Sequence, residues 1–170
     1  METYLALASL RAVRNYAERP VPAEVVERVL DAGRVTGSSR NRQPWTFVVL
    51  EGKPLVEEVA ATVWEPSNLL GAALVVAVLV EGRGPAAFDA GRAAQSMMVA
   101  AWGDGVGSCP NGVRELDRCR EALGLSGEEG VATVLSFGYP ARGGDPGRRT
   151  PAEWVARADR KLRDQVVRRA

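Results

Sequence analysis

Ala72-Ala73-Leu74-Val75-Val76-Ala77-Val78-Leu79-Val80 is the longest apolar run in the chain. It has the length of a strand and no polar residue marks a wet face, so it is expected to be a central strand buried on both sides. It falls far short of the roughly 20 residues that a membrane-spanning helix needs. Trp45 to Leu50 and Val131 to Phe137 read as two further strands from their aromatic and β-branched content. Helical spacing surrounds these strands. A short helix is expected within residues 1–10. A second runs from Pro22 to about Gly33, with Val25, Val26, Val29 and Leu30 as its buried face. Others are expected over 54–63, 86–102 and 113–123, and a last one from Thr150-Pro151-Ala152-Glu153, a capping box, to near the end. A βαβ crossover fits residues 72–137, but regular alternation is absent. The pattern therefore favours an α+β layered domain over a doubly wound sheet.

The chain has 170 residues, which is one domain spanning 1–170 on length alone. Apolar residues are 46 % and charged ones 25 %, a globular composition that excludes disorder of the whole chain. Lys and Arg number 22 against 21 Asp and Glu, without the surplus of a nucleic-acid binder. There is no histidine, which removes Ser-His-Asp and Cys-His catalysis and every imidazole metal site. Cys109 and Cys119 cannot complete a structural zinc site by themselves, so no metal is expected. They allow a disulfide, but a domain of this size needs none, and free buried thiols in a reducing compartment are expected. No secretory signal or membrane span is visible, so a cytoplasmic protein is expected.

Several islands carry candidate chemistry. Arg11-Ala12-Val13-Arg14 precedes the Pro20 break. Ser38-Ser39-Arg40-Asn41-Arg42-Gln43-Pro44-Trp45 is a dense set of donors and acceptors leading into a strand; it fits a bonded turn or a binding loop. Arg148-Arg149 sits directly before the capping box and fits an anion site or a solvated loop. Gly103-Asp104-Gly105-Val106-Gly107 follows a helix instead of a strand, so it reads as a helix stop and not a phosphate loop. Cys109, with no base available, is not a nucleophile. The basic C-terminal helix, with acidic residues interspersed, reads as a docked surface helix and not a membrane binder. Phe88, Ala93, Ala94, Met97, Met98 and Ala101 put small or apolar residues on several sides of helix 86–102, which points to a second subunit.

These islands occur together in a recognisable order. Arg-x-x-Arg-x-Tyr at 11–16, the Pro-Val-Pro helix and Ser-Ser-x-Asn-x-Gln-Pro-Trp-x-Phe-Val-Val at 38–49 resemble the opening of the nitroreductase family of FMN-dependent oxidoreductases. Phe88-Asp89-Ala90-Gly91, Ala93-Ala94-Gln95, Gly107-Ser108-Cys109, Phe137-Gly138-Tyr139-Pro140 and Arg149-Thr150-Pro151 resemble its later landmarks. The resemblance covers nearly the whole chain. It implies an α+β layered sandwich, with a central mixed sheet flanked by helices, in a homodimer that binds FMN at the subunit interface. Arg11, Ala12 and Arg14 would meet the flavin, Arg14 as an electrostatic stabiliser. Arg149, with Arg148 beside it, would hold the phosphate. Ser38, Ser39, Asn41 and Gln43 would reach the flavin from the partner subunit. Pro110, Asn111 and Gly112 would pass its N5 and O4 edge and offer backbone N–H groups. The implied activity is ping-pong transfer of hydride from NADH or NADPH to a nitroaromatic, quinone or flavin acceptor. Dehalogenation, flavin cleavage or a flavin-binding module with little turnover are the alternatives. Three departures stand out: Leu10 where the family often has arginine, Gly37 where it has proline, and a connection of only Gly82 to Ala87 before the central helix. So short a connection leaves little chain for a lid.

Overall fold

The computed structural model describes residues 1–82, 84–143 and 145–169. Arg83, in the short 82–87 connection, and Gly144, in the loop before Arg148, lie outside the described residues. The chain forms two compact units, Arg11–Gly144 and Met1–Leu10 with Asp145–Ala170.

The larger unit is built on one sheet. β1 (Trp45–Val49), β2 (Leu74–Val80), β3 (Gly107–Asn111) and β4 (Gly130–Gly138) lie in the order β1-β2-β4-β3. The 72–80 run is the central strand it was expected to be, buried along nearly all its length. Alternate side chains serve opposite faces. Val76 and Val78, with Leu135 and Phe137, meet α2 (Ala23–Arg34) and α5 (Ala86–Gly103). Val75, Ala77 and Leu79, with Val134, meet α3 (Lys53–Ala60), α4 (Ser67–Leu70) and α6 (Leu116–Ala122). Each fully enclosed Val, Leu or Phe contributes about 1.5–3 kcal/mol.

The sheet corrects the expectation of a mixed ladder. All three strand pairings are antiparallel. β2 and β3 do run in the same direction, joined through α5, but β4 inserts between them and opposes both. The crossover expected within 72–137 therefore exists without a parallel ladder. The parallel element is the single bridge Ala12–Ser108. β3 was not among the expected strands, and its sequence Gly-Ser-Cys-Pro-Asn carries little strand propensity.

α5 also corrects an expectation. Ala93, Ala94, Met97 and Ala101 are all buried within the chain's own core, so they do not call for a partner; Phe88 stays exposed. Small residues let α5 and α2 approach closely. A Cβ on Gly33 would stand 2.8 Å from Phe47 Cζ and 2.9 Å from Met97 Cγ.

In the smaller unit, α1 (Thr3–Ser9) packs against α7 (Pro151–Ala156) and the 3-10 turn Pro146–Arg148. Thr150 and Glu153 form the capping box anticipated for α7. The continuous terminal helix does not form. α7 stops at Ala156, Asp159 takes φ +47°, and α8 is only Arg163–Val166. A left-handed residue without glycine's freedom cannot sit inside an α-helix.

Candidate functional site

Two glycines make a seat on the sheet. Gly107 of β3 and Gly138 of β4 are register partners. A Cβ on Gly107 would stand 2.5 Å from Val13 Cγ2, and one on Gly138 would stand 2.8 Å from Tyr16 Cδ1. Only paired glycines let the segment through 16 lie against the strands so closely. Backbone bonds then fasten it. Val13 N–H donates to the Ser108 carbonyl at 2.9 Å and Ala17 N–H to the Tyr139 carbonyl at 2.8 Å. Ala141 N–H donates to the Asn15 carbonyl at 3.0 Å.

This seat brings Arg11, Ala12 and Arg14 beside β3, where Cys109, Pro110 and Asn111 stand. The Arg14 guanidinium lies beside the Cys109 thiol. Burial nonetheless raises the Cys109 pKa, with Arg14 opposing it, so the residue stays a thiol at neutral pH. Tyr16 donates to the Val13 carbonyl at 2.6 Å and shares a 3.0 Å hydrogen bond with Ser136 Oγ. Burial pushes its phenol up to about 12, against the Ser136 bond.

Behind β3 lies a buried polar network. The Asn111 amide donates to the carbonyls of Cys109 and Val134, both at 3.0 Å, and its oxygen accepts from Asn68 Nδ2 at 2.9 Å. The Asn111 side chain is thus spent on the protein itself. Pro110 has no N–H to offer. A proline opposite Leu135 must occupy a position whose missing donor faces away from β4, and its neighbours pair inward. Among the three residues 110–112 the outward donor is therefore Gly112 N–H.

Ser38, Ser39, Asn41 and Gln43 form a second cluster. Ser39 N–H donates to Asp89 Oδ2 at 2.9 Å, and Gln43 N–H to Ser38 Oγ at 2.8 Å. Asp89 is buried in the first turn of α5, with Arg92 Nη1 at 3.6 Å from its other oxygen. Arg40, Asn41 and Gln43 all have positive φ, between 50° and 55°. Each such residue costs on the order of 1 kcal/mol, and the local bonds hold the loop in that shape. Asp89 was quoted only as part of a motif; its grip on Ser39, fifty residues away, carries no sequence signal.

The sheet holds these clusters apart. The 38–43 loop leads into β1 at one edge, while Arg14 and Pro110 stand at β3, the other edge. Three interstrand spacings of about 4.8 Å lie between the edges. Arg148 and Arg149 belong to the smaller unit, where the Arg149 guanidinium carbon lies 5.0 Å from the Trp154 ring centroid. Among the described residues, no group of three His, Cys, Asp or Glu side chains gathers as metal ligands, and no helix is long and apolar enough to cross a membrane.

Known proteins resemble this chain in sequence and fold. A protein of Methanothermobacter thermautotrophicus, provisionally named NADH dehydrogenase/NAD(P)H nitroreductase, is 27 % identical over 158 residues, covering 88 % of this chain and 82 % of its own. A Parabacteroides distasonis crystal structure under the same provisional name superposes with a TM-score of 0.85 at 22 % identity, over 98 % of this chain and 96 % of that one. A Desulfovibrio desulfuricans structure solved in complex with FMN has a TM-score of 0.79 at 24 % identity, over 95 % of this chain and 98 % of that one. The nitroreductase family profile matches residues 7–81 and 69–139. With its fold and most of its length accounted for in this way, the chain belongs to the nitroreductase family.

Proposed function

We propose that the protein is an FMN-dependent oxidoreductase that passes reducing equivalents from NADH or NADPH to a small-molecule acceptor. The observation that carries this reading is the glycine-paired seat, which sets Arg11 and Arg14 beside the outward edge of Pro110–Gly112. The donor set fits the group. Guanidiniums suit its phosphate and carbonyl oxygens, and Gly112 adds no side chain of its own to this edge. FMN, when bound, takes hydride from a nicotinamide and returns it to an acceptor; the protein supplies binding, orientation and charge. Arg14 places a fixed cation where negative charge develops, and needs no reorganisation to stabilise it. Donor and acceptor use the same surface in turn. This accounts for a site built without histidine or a thiolate.

A homodimer belongs to this proposal. Ser38, Ser39, Asn41 and Gln43 stand at the opposite sheet edge from Arg14 and Pro110, so a second copy is the direct way to bring both clusters to one flavin. Acid release of chromophore from the purified or reconstituted protein should yield FMN; FAD, or no flavin at all, would refute the reading. Arg149→Ala should weaken FMN about ten- to a hundredfold, the loss of a charge-assisted bond to phosphate. Titration by flavin fluorescence quenching measures it, and unchanged affinity would move the phosphate away from Arg149.

A further inference from the structure

Trp64 is 70 % exposed, yet the segment that carries it is firmly held. Val63 before it is fully buried and bridges to Val113. Thr62 Oγ1 donates to the Val59 carbonyl at 2.7 Å. The Thr62 carbonyl accepts from Arg114 N–H at 2.8 Å and Glu115 N–H at 3.0 Å. Trp64 N–H itself donates to the Gly112 carbonyl at 3.1 Å. The exposure of the indole is therefore not the exposure of a loose loop. An enclosed tryptophan removes about 150–250 Å² from water, and this one leaves most of that area unused by any core.

The ring has a definite place. It lies against Gly112, where a Cβ would stand 3.3 Å from Trp64 Cδ1 and 3.8 Å from Nε1. Pro110, also exposed, stands two residues earlier, within β3. The exposed indole against Gly112 offers an apolar surface at the end of the strand whose Cys109 thiol Arg14 faces. We infer that Trp64 is a stacking platform for the acceptor, and that it favours planar, electron-poor rings such as nitroaromatics and quinones over compact acceptors. An electron-rich indole face attracts an electron-poor ring. The inference rests on the reading of Pro110–Gly112 as the flavin-facing edge.

Two measurements test it on the FMN-loaded protein. In the first, 1,3-dinitrobenzene is added to the oxidised protein with no nicotinamide present, and tryptophan emission is followed. Saturable quenching is expected for the native chain, and only linear, collisional quenching for Trp64→Ala. In the second, kcat/KM is measured for a naphthoquinone and for ferricyanide. Their ratio should fall about tenfold in Trp64→Ala, the equivalent of about 1.4 kcal/mol, and should survive in Trp64→Phe. The ratio cancels differences in flavin loading. An unchanged ratio, or linear quenching in the native chain, overturns the platform. If Trp64→Ala instead dissociates a dimer in light scattering with the ratio unchanged, the residue is a subunit contact and the inference is wrong. A native protein that binds no FMN overturns the proposed function and the platform together, whereas a flavin-loaded protein with an unchanged ratio overturns the platform alone.

Discussion

Tyr16 shows how a single side chain ties the seat to the sheet. Its hydroxyl reaches the Val13 carbonyl in its own segment and Ser136 in β4. Tyr16→Phe should cost about 0.5–1.5 kcal/mol, the net value of a typical hydrogen bond, read from the urea midpoint. The phenol's pKa is raised by burial from 10.0 to about 12. A raised folded-state value means that this stability is fully present below pH 10 and is lost as pH rises toward 12. The native chain should thus lose stability over that interval more steeply than Tyr16→Phe. Cys109 and Cys119 are both raised by burial, so neither thiol should react with a disulfide reagent until the chain unfolds. At this scale the sequence was legible where chemistry is written in residue type. Arg11, Arg14 and Pro110 were singled out by residue type, and the Ala12–Ser108 bridge lays their two segments next to each other. Trp64 was not, because exposure is a property of the folded surface, and its glycine partner lies 48 positions away.

Among the elements, β2 was the most legible and β3 the least. A run of valines and leucines announces a strand anywhere it occurs. Gly107–Asn111 becomes a strand because β4 offers it a ladder and the segment through Tyr16 covers it, which is tertiary context overriding weak local preference. Isolated glycines inside strands are a signal of close backbone approach, and Gly107 and Gly138 could have been read that way had their pairing been visible. Gly107→Ala should destabilise the protein by about 1–3 kcal/mol, as overpacking does, since its Cβ would stand 2.5 Å from Val13 Cγ2. If Arg11 and Arg14 hold FMN, the substitution should also weaken that binding by lifting them from β3. Equilibrium unfolding and flavin titration of the same variant check both outcomes.

For the whole molecule, the α+β class followed from uneven strand spacing, but strand order did not. The pairing of β2 with β4 depends on contacts across some sixty residues of chain, and local pattern is silent about those. The chain also divides into two compact units, a division that local pattern does not mark. The units differ in their cores. The larger has two apolar clusters on opposite faces of its sheet. In the smaller, α1 buries Ala6 and Ser9, while α7 and α8 bury nothing. Few buried contacts mean low local opening energies. Backbone amides in residues 1–10 and 145–169 should therefore exchange with deuterium well before those of β2 and β4, as followed by mass spectrometry. If Arg149 holds the phosphate, added FMN should slow exchange around residues 148–156, and no change there would argue against it.

Pro110 also bears on how the protein behaves when crowded. An open sheet edge is a template on which another chain can lay a strand, the first step toward fibrils. Along the outer edge of β3, Ser108 already has its carbonyl occupied by Val13 N–H, and the next outward position, Pro110, lacks a donor. An incoming strand would find neither a continuous row of hydrogen-bonding groups nor room to align. The residue proposed to border the flavin thus keeps the same edge from seeding its own aggregation.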